Sequence, residues 1–171
     1  MSTNIKKLKG TLGIGARNNN YRVILNSKGS GPDNETVDTL IKSISLPGVS
    51  TNDIDIHFQG KKLTIAGDTS FDGTLNITFY DTEEHSLKKS FMNWMVFIDD
   101  VKNNKRDANN ASEYMTNIVV KQLSSVNDSE KAIYTYYNCY PKSVSELSYS
   151  NESTELMEFS IEFNYSHWVL D

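Results

Sequence analysis

Catalysis needs nucleophiles, acid–base pairs or metal ligands held close together, and this sequence distributes its candidates singly. His57, His85 and His167 are its three histidines. They fall in a hairpin strand, in the first turn of a helix and at the end of the last strand, outside any clustered ligand spacing of the kind metal motifs use. Solvated or hydrogen-bonded imidazoles are expected there, not a metal site. Asp53 with Asp55, and Asp99 with Asp100, place carboxylates side by side. Neither pair has a nucleophile or an oxyanion donor beside it, so they read as a solvated turn and the rim of a helix C-terminus. Gly13-Ile14-Gly15-Ala16-Arg17-Asn18 opens like a dinucleotide fingerprint but lacks the third glycine and follows no strand. The one cysteine, Cys139, permits neither an internal disulfide nor a cysteine zinc site. Flanked by Asn138 and Tyr140 on an apolar strand, it reads as a buried structural thiol. Tyr134, Tyr136, Tyr137 and Tyr140 could stack bases on a sheet face, but a net charge of -5 leaves no basic groove to hold the phosphates, so they read as core and interface packing. No catalytic residue, cofactor or metal is expected, and the chain reads as something other than an enzyme.

The elements carrying these residues follow from periodicity. Residues 1–20, rich in Lys, Gly and Asn, read as an N-terminal arm, and 21–171 as a single domain. The start, Met1 to Gly10, runs into Gly- and Asn-rich sequence, and no apolar run approaches the roughly 18 residues a membrane span needs, so neither a secretion signal nor membrane contact is expected. Tyr21 to Leu25 is a run of β-formers, Asn26 to Asn34 an exposed loop, and a second strand is expected from Val37 to just before Leu46-Pro47-Gly48. The stretch from Leu46 to Asp53 reads as a mobile loop. Ile54, Ile56 and Phe58, then Leu63 and Ile65, alternate with polar residues around a turn at Gln59-Gly60, which predicts a hairpin that Gly67-Asp68 breaks. Leu75, Ile77 and Phe79 resume period two.

From Asp81 the period changes. Leu87, Phe91, Trp94, Met95, Ile98 and Val101 share one face at helical spacing, and Asp81 with Glu84 resembles a capping box, so one helix is expected over 83–101 with its polar side outward. Phe91 and Trp94 are its anchors. After a polar loop, Tyr114 to Leu123 and Ala132 to Tyr140 read as core strands. The last strand puts Met157, Phe159, Ile161, Phe163 and Tyr165 on one face and Glu158, Ser160, Glu162, Asn164 and Ser166 on the other. The fold class is therefore mainly β with one α-helix, a β-sandwich or barrel with the helix packed against it.

A set of strings in order is more specific than any of these features. Ala16-Arg17 with Asn19, Tyr21-Arg22-Val23, Leu46-Pro47-Gly48, Ile65-Ala66-Gly67-Asp68, Phe71-Asp72, the helix with Phe91 and Trp94, Tyr140-Pro141 with Val144 and Glu146-Leu147, and a final strand closing on Tyr165 and Trp168 together resemble the tail tube proteins of contractile-tailed bacteriophages. The resemblance runs from about residue 12 to 168. Asn18 stands where proline is usual, the loop from Asn26 to Thr36 is longer, and 103–110 is unusually rich in Asn.

The resemblance implies a subunit that forms hexameric rings, stacked into a hollow tube of the virion and assembled in the host bacterial cytoplasm. Implied partners are further copies of itself, the tail sheath protein, the baseplate tube initiator, and the tape measure protein and genomic DNA in the lumen without specific binding. Phe91, Trp94 and Trp168 are the expected structural anchors, and Glu158 and Glu162 the candidates to line the lumen, where acidic residues would repel phosphates. Ordinary solvated exterior is the other reading of that face. A baseplate tube initiator and the inner tube of a bacterial contractile injection system share the pattern. A monomeric β-sandwich ligand-binding module with an exposed aromatic platform is the alternative of another class.

Overall fold

The computed structural model describes residues 17–29, 31–71, 73–106, 108, 110–147, 149 and 155–171. Most of the expected arm, 1–16, lies outside the described residues. Among these, nine strands and three helices succeed one another: β1 (Tyr21–Leu25), α1 (Asn34–Leu40), β2 (Ile41–Ser45), β3 (Ser50–Phe58), β4 (Lys61–Ser70), β5 (Leu75–Tyr80), α2 (Ser86–Ile98), α3 (Ala111–Tyr114), β6 (Thr116–Leu123), β7 (Glu130–Val144), β8 (Glu158–Asn164) and β9 (His167–Leu170). The molecule is mostly β, as its alternating apolar pattern predicts. Among the described residues seven strands form one antiparallel sheet in the order β1-β6-β7-β8-β5-β2, with β9 also on β7, while β3 and β4 pair only with each other.

β7 serves both halves of the large sheet. Its first half, around Tyr134–Tyr137, lies between β6 and β9; its last residues, Tyr140–Val144, pair with β8. The change of partner occurs at Asn138, whose φ of 57° is left-handed and which sits in a bulge opposite Thr116–Ile118. Asn tolerates that backbone, and here the Asn117 side chain accepts its N–H while its own amide donates to Ser166 Oγ. The extra residue keeps the interior face continuous, since Tyr136 is buried before it and Cys139 and Pro141 after it.

The two halves close on one core. β5 contributes Leu75, Ile77 and Phe79, β8 contributes Phe159, Ile161 and Phe163, β6 contributes Ile118 and Val120, and β1 contributes Val23 and Leu25. α2 lays Leu87, Phe91 and Trp94 onto these residues, all three buried. Phe91 stands 5.5 Å from Phe79 and 6.0 Å from Phe163, ring centre to ring centre, and Trp94 donates its indole N–H to the Tyr114 carbonyl at 3.1 Å. Trp168, on β9, is half-buried against Tyr134, Tyr136 and Phe71.

Several expectations are corrected. Residues Val37–Leu40, read as strand, are helical, because Asp33 caps the preceding turn by accepting the Thr36 N–H at 2.8 Å. The short helix also protects a sheet edge, since Asn34 and Asp38 accept the N–H groups of Leu25 and Val23 along the unpaired side of β1. Thus α1 and α3 join the single helix expected. α2 begins at Ser86 and ends at Ile98, short of 83–101 at both ends. Asp81 caps nothing; it accepts from Thr82 N–H and from His85, which enters the helix with φ 52°. Gly67-Asp68 bulges β4 without ending it, and the loop expected over 46–53 is already strand from Ser50. The final strand likewise divides at Tyr165–Ser166 into β8 and β9.

Candidate assembly surfaces

The residues able to do chemistry are dispersed. His57 lies on the hairpin, His167 stacks on Tyr137 at 4.7 Å, and His85 pairs with buried Asp81 at 2.6 Å. Among the described residues no group of three His, Cys, Asp or Glu could hold a metal ion. Asp55 is held below the usual carboxylate range by hydrogen bonds from Lys62 and Thr64, a cross-strand ion pair, and Asp100 by Asn103 in a tight turn. Cys139 is buried, which pushes its thiol up to about 12, and a thiol that remains protonated is no nucleophile. Of the four tyrosines, Tyr136 is fully buried, and Tyr134, Tyr137 and Tyr140 pack against Trp168, His167 and Tyr114 respectively. The glycine motif at 13–15 lies outside the described residues.

Three surfaces stand out instead. The first is the outward face of the half-sheet β2-β5-β8-β7. Alternation turns Asn76, Thr78 and Tyr80 of β5 away from the core, opposite Glu162, Ser160 and Glu158 of β8. These side chains are tied together. Lys42 of β2 pairs with Glu158, Thr78 shares a hydrogen bond with Ser160, Ser143 of β7 donates to Glu162 at 3.0 Å, and Asn164 donates to the Tyr140 hydroxyl at 2.9 Å. The face is polar and ordered. Glu158 pairs with Lys42, whose ammonium it holds above the usual lysine range, and among the described residues Glu162 has only a hydroxyl donor, Ser143. Both ends of this half-sheet are open: β2 pairs only with β5, and residues Tyr140–Val144 only with β8, among the described residues.

The second surface is the β3–β4 hairpin. Its two-residue turn, Gln59-Gly60, has both φ values positive, at 47° and 75°, the geometry that matches strand twist in a tight hairpin. Register places Ile54 opposite Ile65 and Ile56 opposite Leu63, with Phe58 beside the tip opposite Lys61. All five apolar residues are on one face and all are exposed, Phe58 by 70%. The alternation is plain in the sequence, but alternation shows only that one face is apolar and says nothing of what covers it. Fully burying such side chains is worth about 1.5–3 kcal/mol each, so covering this half-exposed set would supply on the order of 5 kcal/mol. An apolar hairpin face of this size marks an interaction surface.

The third is a groove of about 450 Å³ between α2 and the end of β7, lined by Met92, Met95, Val96, Ile98 and Val101, with Tyr140, Pro141 and Lys142 opposite and Asp99 at the C-terminal end of the helix. The outward side of α2 is therefore mixed and not polar throughout as the sequence pattern predicts, since Met92 is 52% and Val96 48% exposed beside exposed Ser86, Lys89 and Asn93. The apolar residues at Met92 and Val96 are the available signal in the sequence, outweighed there by the stronger Leu87-Phe91-Trp94 stripe.

Comparison with known proteins gives these surfaces a context. A family model described as "Phage tail tube protein" matches residues 15–171. Tail tube protein gp19 of Enterobacteria phage T4 is 23% identical over 128 residues, covering 74% of this chain and 77% of that protein. Among solved structures, the tube terminating cap of the anti-feeding prophage superposes with a TM-score of 0.62 at 13% identity, covering 91% of this chain and 90% of that one. The sheath–tube complex of an extracellular contractile injection system, PVC, in its extended state gives 0.61 at 13% identity, covering 97% and 96%. At that identity the structures show a shared fold. The family match runs through every strand and helix described above, and the chain belongs to the phage tail tube protein family.

Proposed function

We propose that the chain is the repeating subunit of a phage tail tube, with residues 21–171 as its tube domain and 1–20 as an arm, and that six copies close a ring whose bore is lined by the polar face of β2-β5-β8-β7. The observation that carries this is the pair of open edges on that half-sheet. β2 runs antiparallel to β5, β5 to β8 and β8 to β7, so β2 of one copy set beside Tyr140–Val144 of the next continues an antiparallel sheet without interruption. Contacts between two different edges are head-to-tail, and head-to-tail contacts build rings when the rotation closes. Four strands from each of six copies, at about 4.8 Å per strand, give a backbone circumference of about 115 Å and, after side chains on both walls, a bore roughly 25 Å wide. A duplex fits through that bore.

The lining would suit passage. Among the described residues β2, β5, β8 and Tyr140–Val144 hold no Arg, and their two lysines are Lys42, paired with Glu158, and Lys142, which lines the α2–β7 groove, so a phosphate passing the polar face would meet Glu162. DNA and a tape measure protein would pass without specific binding. The similar structures include a sheath–tube complex and a baseplate, which supports a sheath outside the tube and an initiator at its end as partners. The test is a phage carrying Glu158→Lys and Glu162→Lys together. Tubes of normal length with slowed DNA ejection are expected; normal ejection with loss of sheath attachment would put this face outside.

A further inference from the structure

The hairpin face and the α2–β7 groove lie on the same chain and are both apolar, and among the described residues both are uncovered and neither meets the other within one copy: β3 and β4 pair with each other alone, and the groove is bordered by α2 and β7. We propose that the hairpin of one subunit docks in the α2–β7 groove of its neighbour in the ring. This rests on the ring reading above, which fixes where the hairpin emerges. When β2 of one copy lies antiparallel beside Tyr140–Val144 of the next, the C-terminal end of β2, Ser45, arrives at the Tyr140 end of that segment. Tyr140, Pro141 and Lys142 are the groove's β7 wall. Four residues separate Ser45 from Ser50, where the hairpin begins, and its nine-residue β3 strand extends about 30 Å. That places its apolar face within reach of Met92 and Val96.

Charge agrees with the placement. Lys61 shares the apolar face with Phe58 at the tip, and the groove carries one charge of each sign, Lys142 on β7 and Asp99 at the helix end, so docking with the tip toward the helix end gives Lys61 a carboxylate to meet. The opposite face of the hairpin, with Asp55 tied to Lys62 and Thr64, stays in water. The two surfaces differ, so the contact is heterologous and repeats in one direction round the ring, the same direction the strand edges impose. A β-hairpin standing alone is marginally stable in water, and docking would cover its apolar face at the moment of assembly.

The test uses the full chain with Phe58→Cys and Val96→Cys together, cross-linked by a short bismaleimide, with Cys139 left in place because its buried thiol does not react. Under assembling conditions the double variant should give a ladder of covalent oligomers beyond the dimer on denaturing gels, and each single variant no more than dimer. In parallel, Val96→Asp, a change at an exposed position, should keep the thermal midpoint and abolish rings in negative-stain images. Rings without a ladder, or a Val96→Asp chain that assembles like the unsubstituted protein, would overturn the docking and leave the ring reading standing. An unsubstituted chain that stays monomeric by light scattering would overturn both.

Discussion

Trp94 is the largest fully buried side chain among the described residues. It stands beside Phe91 and Phe163 and satisfies its indole N–H on the Tyr114 carbonyl. Trp94→Ala should cost about 3–5 kcal/mol, read as a lower midpoint in chemical denaturation of unassembled subunits. Asp33 is the opposite kind of residue, exposed and local. Its carboxylate is held below the ordinary aspartate value of 3.8 by the Thr36 backbone N–H, so its contribution is fully present above that value and is lost as pH falls through the lowered one. Asp33→Ala should cost about 1 kcal/mol at neutral pH and progressively less below pH about 4, measured by denaturation across a pH series. Trp94 is legible from helical spacing alone. Asp33 is not, because Val37 to Ile41 is β-branched enough to resemble strand until the cap at Asp33 decides for helix.

At the scale of elements, the kink in β7 determines which strands can meet. Asn138 holds a left-handed backbone where the strand passes from β6 and β9 to β8. Asn138→Gly should be tolerated within about 1 kcal/mol, while Asn138→Val should destabilise by roughly 1–3 kcal/mol, since a β-branched residue resists positive φ; urea titration separates the two. The division of the C-terminal run into β8 and β9 belongs with this kink. Period two from Met157 to Tyr165 is plain in the sequence, but the return of Trp168 onto β7 depends on a turn at Ser166 held by Tyr137, a contact between residues far apart in sequence. The hairpin is legible as strands and invisible as a surface for the same reason. Alternation reports the side of a strand, and coverage is a property of the whole molecule.

At the scale of the whole molecule, the described residues form a closed core and one polar half-sheet with two free edges, and they leave two apolar surfaces bare. A monomer has no use for the bare surfaces, and an Ile56→Asp change, which alters only the exposed face, should leave subunit stability within about 0.5 kcal/mol while preventing assembly, as light scattering would report. Alternation in β8 shows only that acidic residues share one face, and the structure adds what a single strand cannot show, that Lys42 pairs with Glu158, so that under the proposed bore lining Glu162 is the carboxylate left to face the lumen. The central claim is that this chain closes into rings through its strand edges. Electron microscopy of the purified protein at rising concentration tests it most directly: hollow tubes of stacked six-fold rings with an open bore near roughly 25 Å are expected, and a monodisperse monomer at every concentration, with no rings or tubes in the images, would contradict it.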